Sequence, residues 1–126
     1  MALFILLPDE MVADIVSYEK NKFSVYMPRN TSVYPLYKGM VASVQYDDID
    51  GVFISIQTRD ITIWYTNLTR ALIQSSRKTV INTDELIAYS GMTGAIREPQ
   101  LGIRIESAED SDRDYTIYLI TGKSLK

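Results

Sequence analysis

The side chains that most often carry catalysis and metal binding are missing from this chain, which has no histidine and no cysteine. Thiolate nucleophiles, disulfides and the common structural zinc sites need those residues, so the sequence excludes them. Serines are present, but a serine nucleophile of the Ser-His-Asp type needs a histidine as its base. The side chains left for chemistry are carboxylates, lysines, amides and hydroxyls.

Carboxylates occur in two short runs. Three of them have the spacing that opens an EF-hand calcium loop: Asp110, Asp112 and Asp114. However, Tyr115 stands where that loop needs glycine, and Thr121 stands where it needs glutamate. The other run, residues 47–50, leads into Gly51 and is typical of a hairpin tip. We predict that both runs are solvated loops and that the chain binds no metal and no other cofactor.

Overall charge and hydropathy limit the partners and the location. The net charge of −3 comes without a basic stripe, so no nucleic-acid partner is predicted. Residues 2–7 are apolar, but the run is too short for a membrane span and has no basic start of the signal-peptide kind. As written, the chain is predicted to be cytoplasmic.

The elements that position these side chains are predicted to be strands, because short alternating runs are rich in β-branched and aromatic residues. The predicted strands are Ala2–Leu7, Phe23–Tyr26, Ser32–Tyr37, Met40–Tyr46, Val52–Gln57, Ile61–Tyr65, Thr79–Ile81, Glu85–Tyr89, Leu101–Glu106 and Tyr115–Ile120. A short helix is predicted within Pro8–Lys20, where Met11, Ile15 and Tyr18 have roughly helical spacing. The Asp50-Gly51 pair suits a hairpin turn with positive φ. The pattern predicts one all-β domain of the sandwich or barrel type.

Six segments carry a resemblance to a known family. They are Met27–Tyr34, Gly39–Val44, Gly51–Ile56, Trp64–Leu68, Glu85–Gly94 and Pro99–Ile105. In this order they resemble the lysostaphin-type (LytM) metallopeptidase family. The last segment, Pro-Gln-Leu-Gly-Ile-Arg-Ile, lies where the family has Pro-His-Leu-His-Phe-Glu-Ile. The resemblance implies a barrel-sandwich (duplicated hybrid motif) fold. The domain would span residues 1–126, with a strand/helix extension at 1–19 and a core at 20–120.

The resemblance also implies where a zinc site would lie. In active members zinc is held by a histidine, an aspartate four residues later, and the second histidine of a His-x-His pair. The first two positions fall at Lys20 and Ser24. The histidine of a Tyr-x-His-Leu segment falls at Asn67, and the His-x-His pair falls at Gln100 and Gly102. None of these residues is a conventional zinc ligand. The expectation is a chain without zinc that is not an enzyme.

Phosphohistidine carriers with the same fold are excluded by the lack of histidine, and Lys78 lacks the flanking residues of a biotin or lipoyl carrier. The family groove implies a binding surface made by Trp64, Tyr65, Asn67 and Gln100. The leading hypothesis is a catalytically inactive module for protein–protein interaction, a scaffold or regulator in a cell-envelope or phage-type assembly. The alternative is a module that binds peptidoglycan or a peptide without cutting it.

Overall fold

The described part of the chain is built from antiparallel strands. The structure is a computed structural model, and it describes residues 15–59 and 61–107. The strands are β1 (Ile15–Glu19), β2 (Lys22–Tyr26), β3 (Ser32–Val33), β4 (Met40–Asp47), β5 (Gly51–Thr58), β6 (Ile61–Ala71), β7 (Ala88–Ser90) and β8 (Gln100–Ser107). This confirms the predicted all-β class. None of the described elements is a helix long and apolar enough to cross a membrane.

The strands form one sheet in the order β1-β2-β8-β6-β5-β4, and the short strand β7 pairs with both β3 and β6. Strand β8 therefore lies between two strands that precede it by many residues in the sequence. The β4–β5 hairpin turns at Gly51, whose φ of 64° confirms the predicted turn. Strand β1 lies inside the predicted N-terminal extension, and it pairs with β2 as part of the sheet.

The core lies on one face of the sheet and is formed by alternate residues of the central strands. Ile63 pairs with Ile105, and Tyr65 pairs with Ile103, which in turn pairs with Phe23. All five are at most 2% exposed. Because side chains alternate between the faces of a strand, the intervening residues of β2, β6 and β8 must line the opposite face. That second face carries the candidate site.

Several predicted elements differ from the structure. Residues 15–19 form a strand and not the end of a helix, because their pairing with β2 outweighs a brief helical pattern. The predicted strand Ser32–Tyr37 is reduced to two residues, and Pro35 has no backbone N–H for a ladder. The predicted strand Thr79–Ile81 forms only one bridge, between Gly39 and Ile81. The predicted strands Ala2–Leu7 and Tyr115–Ile120 and the acidic run Asp110, Asp112 and Asp114 lie outside the described residues.

Candidate functional site

A cavity of about 240 Å³ lies over the sheet face opposite the core. Its floor crosses three strands, because Ser24 on β2 pairs with Gly102 on β8, and Gly102 pairs with Thr66 on β6. It is also lined by residues 49 and 50 of the β4–β5 turn and by residues 95 and 96 of the loop between β7 and β8. We call this cavity and its lining the groove. The groove therefore joins segments from four separate parts of the chain.

The floor of the groove is tightly packed at position 102. A Cβ atom built on Gly102 would run into Thr66 Oγ1 and would lie 2.8 Å from Asn67 Oδ1. Both are side-chain atoms, so a larger residue at this position needs Thr66 and Asn67 to change rotamer and give up their hydrogen bond. A histidine at the aligned family position is therefore accommodated only if these two side chains move.

Asn67 holds the groove together. It lies where the pairing of β6 with β5 is irregular, and its φ of 63° is in the left-handed region that asparagine tolerates. Its Nδ2 donates to the carbonyl oxygens of Thr93 (2.9 Å) and Asp50 (3.3 Å), while its Oδ1 accepts from Thr66 Oγ1 (3.1 Å) and Gln100 Nε2 (3.5 Å). This amide ties the hairpin turn and the 91–99 loop to the floor.

Charged side chains lie at the end of the groove near β1. Lys22 and Arg104 pair across β2 and β8, and both line the cavity. The Arg104 guanidinium lies 4.4 Å from the centre of the Trp64 ring, and its Nη1 lies 3.1 Å from Asp50 Oδ2. Trp64 also contacts Phe53, with ring centres 5.1 Å apart. The lysostaphin-type pattern has glutamate where this chain has Arg104, so the charge at this position is reversed.

The structure brings together only some of the residues that the sequence indicated. Ser24, Asn67, Gln100 and Gly102 all line the groove, whereas Lys20 is exposed in the β1–β2 turn and does not.

The two aromatic residues indicated for the groove lie elsewhere. Tyr65 is fully buried in the core, where its hydroxyl oxygen accepts the backbone N–H of Leu36 at 3.0 Å. Burial raises the pKa of that hydroxyl, although the Leu36 hydrogen bond acts in the other direction. Trp64 lies on the groove face but beneath Arg104, outside the cavity lining.

Sequence reasoning missed ten of the fourteen residues that line the groove, including Lys22, Ile49, Asp50, Thr66 and Arg104. The alternation of β2, β6 and β8 gave a usable signal for three of them, because residues next to buried core positions face the other side. The two turn residues had no such signal, since their place depends on tertiary hydrogen bonds, from Asn67 to the Asp50 carbonyl and from the Ala95 N–H to the Ile49 carbonyl.

The zinc that the resemblance implies does not fit the side chains of this groove. Zinc sites in proteins use histidine, cysteine and carboxylate ligands. Gly102 offers no side chain, and both ends of the Asn67 amide are engaged in hydrogen bonds. Within the described residues no three histidine, cysteine, aspartate or glutamate side chains are grouped so as to hold a metal ion.

Comparison with known proteins agrees with the fold. The catalytic domain of the antimicrobial peptidase lysostaphin from Staphylococcus simulans has a TM-score of 0.68 at 17% identity, over 78% of this chain and 77% of that one. The catalytic domain of a variant of the prophage-encoded M23 protein EnpA from Enterococcus faecalis has a TM-score of 0.62 at 15% identity, over 84% of this chain and 78% of that one. A zinc-containing peptidase from Vibrio cholerae has a TM-score of 0.62 at 22% identity, over 68% of this chain but only 26% of that one. No curated protein sequence is significantly similar to the chain.

A sequence model of Peptidase family M23 matches residues 20–113, about three quarters of the chain. This confirms the resemblance to lysostaphin-type domains. It also contradicts the prediction that the chain is not an enzyme, because the matched family is one of peptidases. That prediction was drawn from the absent histidines and from the five changed site positions, and the family assignment is the finding that overturns it. The chain belongs to Peptidase family M23.

Proposed function

We propose that the chain binds an extended peptide in the groove. The peptide is a segment of a protein partner, and the chain acts as an interaction or scaffold domain of a cell-envelope or phage-type assembly. The observation that carries this proposal is the floor of small side chains formed by Ser24, Gly102 and Thr66. A floor without bulky side chains lets another backbone approach the strands closely.

The size of the groove suits a peptide with small side chains. Its volume of about 240 Å³ is below the ~300–1,000 Å³ typical of pockets for drug-sized ligands. Ile49 lines the groove and is 69% exposed, so it offers apolar surface that a bound peptide can cover. Burying such surface is the main source of affinity for a short peptide.

The wall of the groove is fixed before any ligand arrives. The Ala95 N–H donates to the Ile49 carbonyl at 2.9 Å, and the Asn67 N–H donates to the Asp50 carbonyl at 2.7 Å. These bonds connect the hairpin turn, the 91–99 loop and β6. A preformed wall reduces the ordering entropy lost on binding, which favours recognition of a flexible peptide.

The peptide has two candidate sources. A protein partner is the first, and the likeness to a prophage-encoded protein supports a phage-type assembly. A peptidoglycan stem peptide is the second, favoured by the likeness to lysostaphin, which is an antimicrobial peptidase. Sedimentation of the purified chain with peptidoglycan separates the two sources, because only the second predicts a bound fraction.

The test of groove binding is calorimetric titration of the chain with short peptides rich in glycine and alanine. Ile49→Ser is expected to weaken binding about tenfold, because part of the ~1.5–3 kcal/mol for burying an isoleucine is lost. Val80→Ser is the matched control, since Val80 is 49% exposed but lies outside the groove lining. Equal loss in both variants, or no binding by the unsubstituted chain, would contradict the proposal. Mass spectra of the same mixtures show whether a bound peptide is also cut.

A further inference from the structure

Lys22 and Arg104 lie directly opposite each other on neighbouring strands at the end of the groove and face the same side. Like charges in directly opposed positions destabilise a strand pair. Glu19 of β1, which pairs with Lys22 and also lines the groove, offsets part of this repulsion, and an anionic group bound between Lys22 and Arg104 offsets it further.

The Arg104 guanidinium is held in a fixed orientation. It is stacked on Trp64, its Nη1 is bonded to Asp50 Oδ2, and its Nε lies 3.4 Å from Glu106 Oε1. The last contact is an ion pair without hydrogen-bond geometry, because Arg104 Nε has no hydrogen-bond partner among the described residues. The two carboxylates thus lie at Nη1 and Nε, which leaves Nη2 for a ligand. Fixed guanidinium planes are well suited to carboxylates.

Lys22 supplies the second donor. Its side chain is exposed, lines the groove and has no ion pair within the part of the chain that the structure describes. Ammonium and guanidinium groups on adjacent strands can share one carboxylate, with one oxygen directed to each. Glu19, Asp50 and Glu106 carry one more charge than the two cations, so the preference comes from directed hydrogen bonds and not from excess positive charge. It is expected to be moderate and to decrease with salt.

We propose that Lys22 and Arg104 form a subsite for a carboxylate of the bound peptide, supplied by its C-terminus or by an acidic side chain. This inference rests on the proposed function, since it concerns one end of the same groove. The ligand is then a peptide with a negative charge at a defined position. Two charge-assisted hydrogen bonds to this carboxylate provide recognition, in addition to the contact between the peptide backbone and the floor of the groove.

The experiment uses four pentapeptides rich in glycine and alanine. One has a free C-terminus and one is its amide; the other two are amides with a central glutamate or a central glutamine. Binding is read by calorimetry and by emission of Trp64, the only tryptophan of the chain, which is in contact with Arg104. A carboxylate-bearing peptide is expected to bind about tenfold more tightly than its neutral match. The first pair tests a C-terminal source and the second pair tests a side-chain source.

Variants of the exposed lysine show whether the preference arises at this subsite. Lys22→Gln should remove most of the preference for the carboxylate, and Lys22→Glu should reverse it. Lys38→Gln is the matched control, because Lys38 is exposed and does not line the groove. Equal affinity for charged and neutral peptides, or a preference that survives Lys22→Gln, overturns the subsite and leaves groove binding intact. If none of the four peptides binds, the proposed function fails and the subsite fails with it.

Discussion

At the scale of single residues, Asn67 shows what a sequence motif can and cannot reveal. The order of the family segments indicated Asn67, Gln100 and Gly102 together, and all three line the groove. It did not reveal that the Asn67 amide is occupied by the carbonyls of Asp50 and Thr93, which come from distant segments. Hydrogen-bond partners of this kind depend on the folded topology, so a single sequence gives no signal for them.

Asn67 also supports a prediction about stability. Asn67→Ala removes the side-chain bonds to two loops and puts alanine at a φ of 63°. We expect the free energy of unfolding to fall by about 2–4 kcal/mol, from lost hydrogen bonds and backbone strain. Asn67→Gly loses the same bonds but tolerates the backbone, and should recover about 1 kcal/mol of that loss. Urea unfolding measures both, and an alanine variant as stable as the unsubstituted chain would refute this role.

At the scale of elements, alternation in the sequence located the long strands better than the short ones, although it gave only the first half of β6, Ile61–Tyr65 of Ile61–Ala71. The runs that became β4, β5, β6 and β8 have both a period of two and a partner on at least one side. Residues 79–81 have the same composition, but only Ile81 finds a partner. Strand formation depends on pairing as much as on propensity, and pairing is not encoded locally.

The segment between β6 and β7 is held by the bridge at Ile81 and by an ion pair between two of its own residues. The Arg77 guanidinium makes two contacts with the Glu85 carboxylate, and Arg77 also bonds to Thr79 Oγ1 (2.9 Å) and to the Val80 carbonyl (3.2 Å). The side chains of the pair are 26% and 31% exposed, so solvent screens part of their attraction. The hydrogen bond from Arg77 is the main reason that the pKa of Glu85 is lowered.

This ion pair predicts a dependence of stability on pH. Because the pKa of Glu85 is lower in the folded chain than its ordinary value of 4.5, its contribution is fully present above that value. It is lost as the pH falls below 4.5 through the folded-state pKa. The difference in Tm between the unsubstituted chain and Glu85→Gln should therefore be small but measurable at pH 7, and should shrink towards pH 3. Glu98→Gln, at an exposed glutamate elsewhere, is the control, and a difference that grows on acidification would contradict the assignment.

At the scale of the whole molecule, the order of strands explains why the groove could not be located from the sequence alone. Strand β8 lies between β2 and β6, so its pairings join residues about 40 to 80 positions apart. Alternation assigned residues to faces, but only this order makes Ser24, Gly102 and Thr66 neighbours. The family resemblance supplied the missing topology, because it implied a known fold.

The central position of β8 predicts that the sheet unfolds as one unit. Ile103 pairs with Phe23 on one side and with Tyr65 on the other, and it is 1% exposed. Ile103→Ala should lower the free energy of unfolding by about 2–5 kcal/mol, since it leaves a cavity between β2 and β6. Val44→Ala, at a half-buried residue of the edge strand β4, should cost less. Circular dichroism and Trp64 emission should give the same urea midpoint for each variant, because both follow one cooperative transition. Two separate midpoints would show instead that the strands on either side of β8 unfold independently.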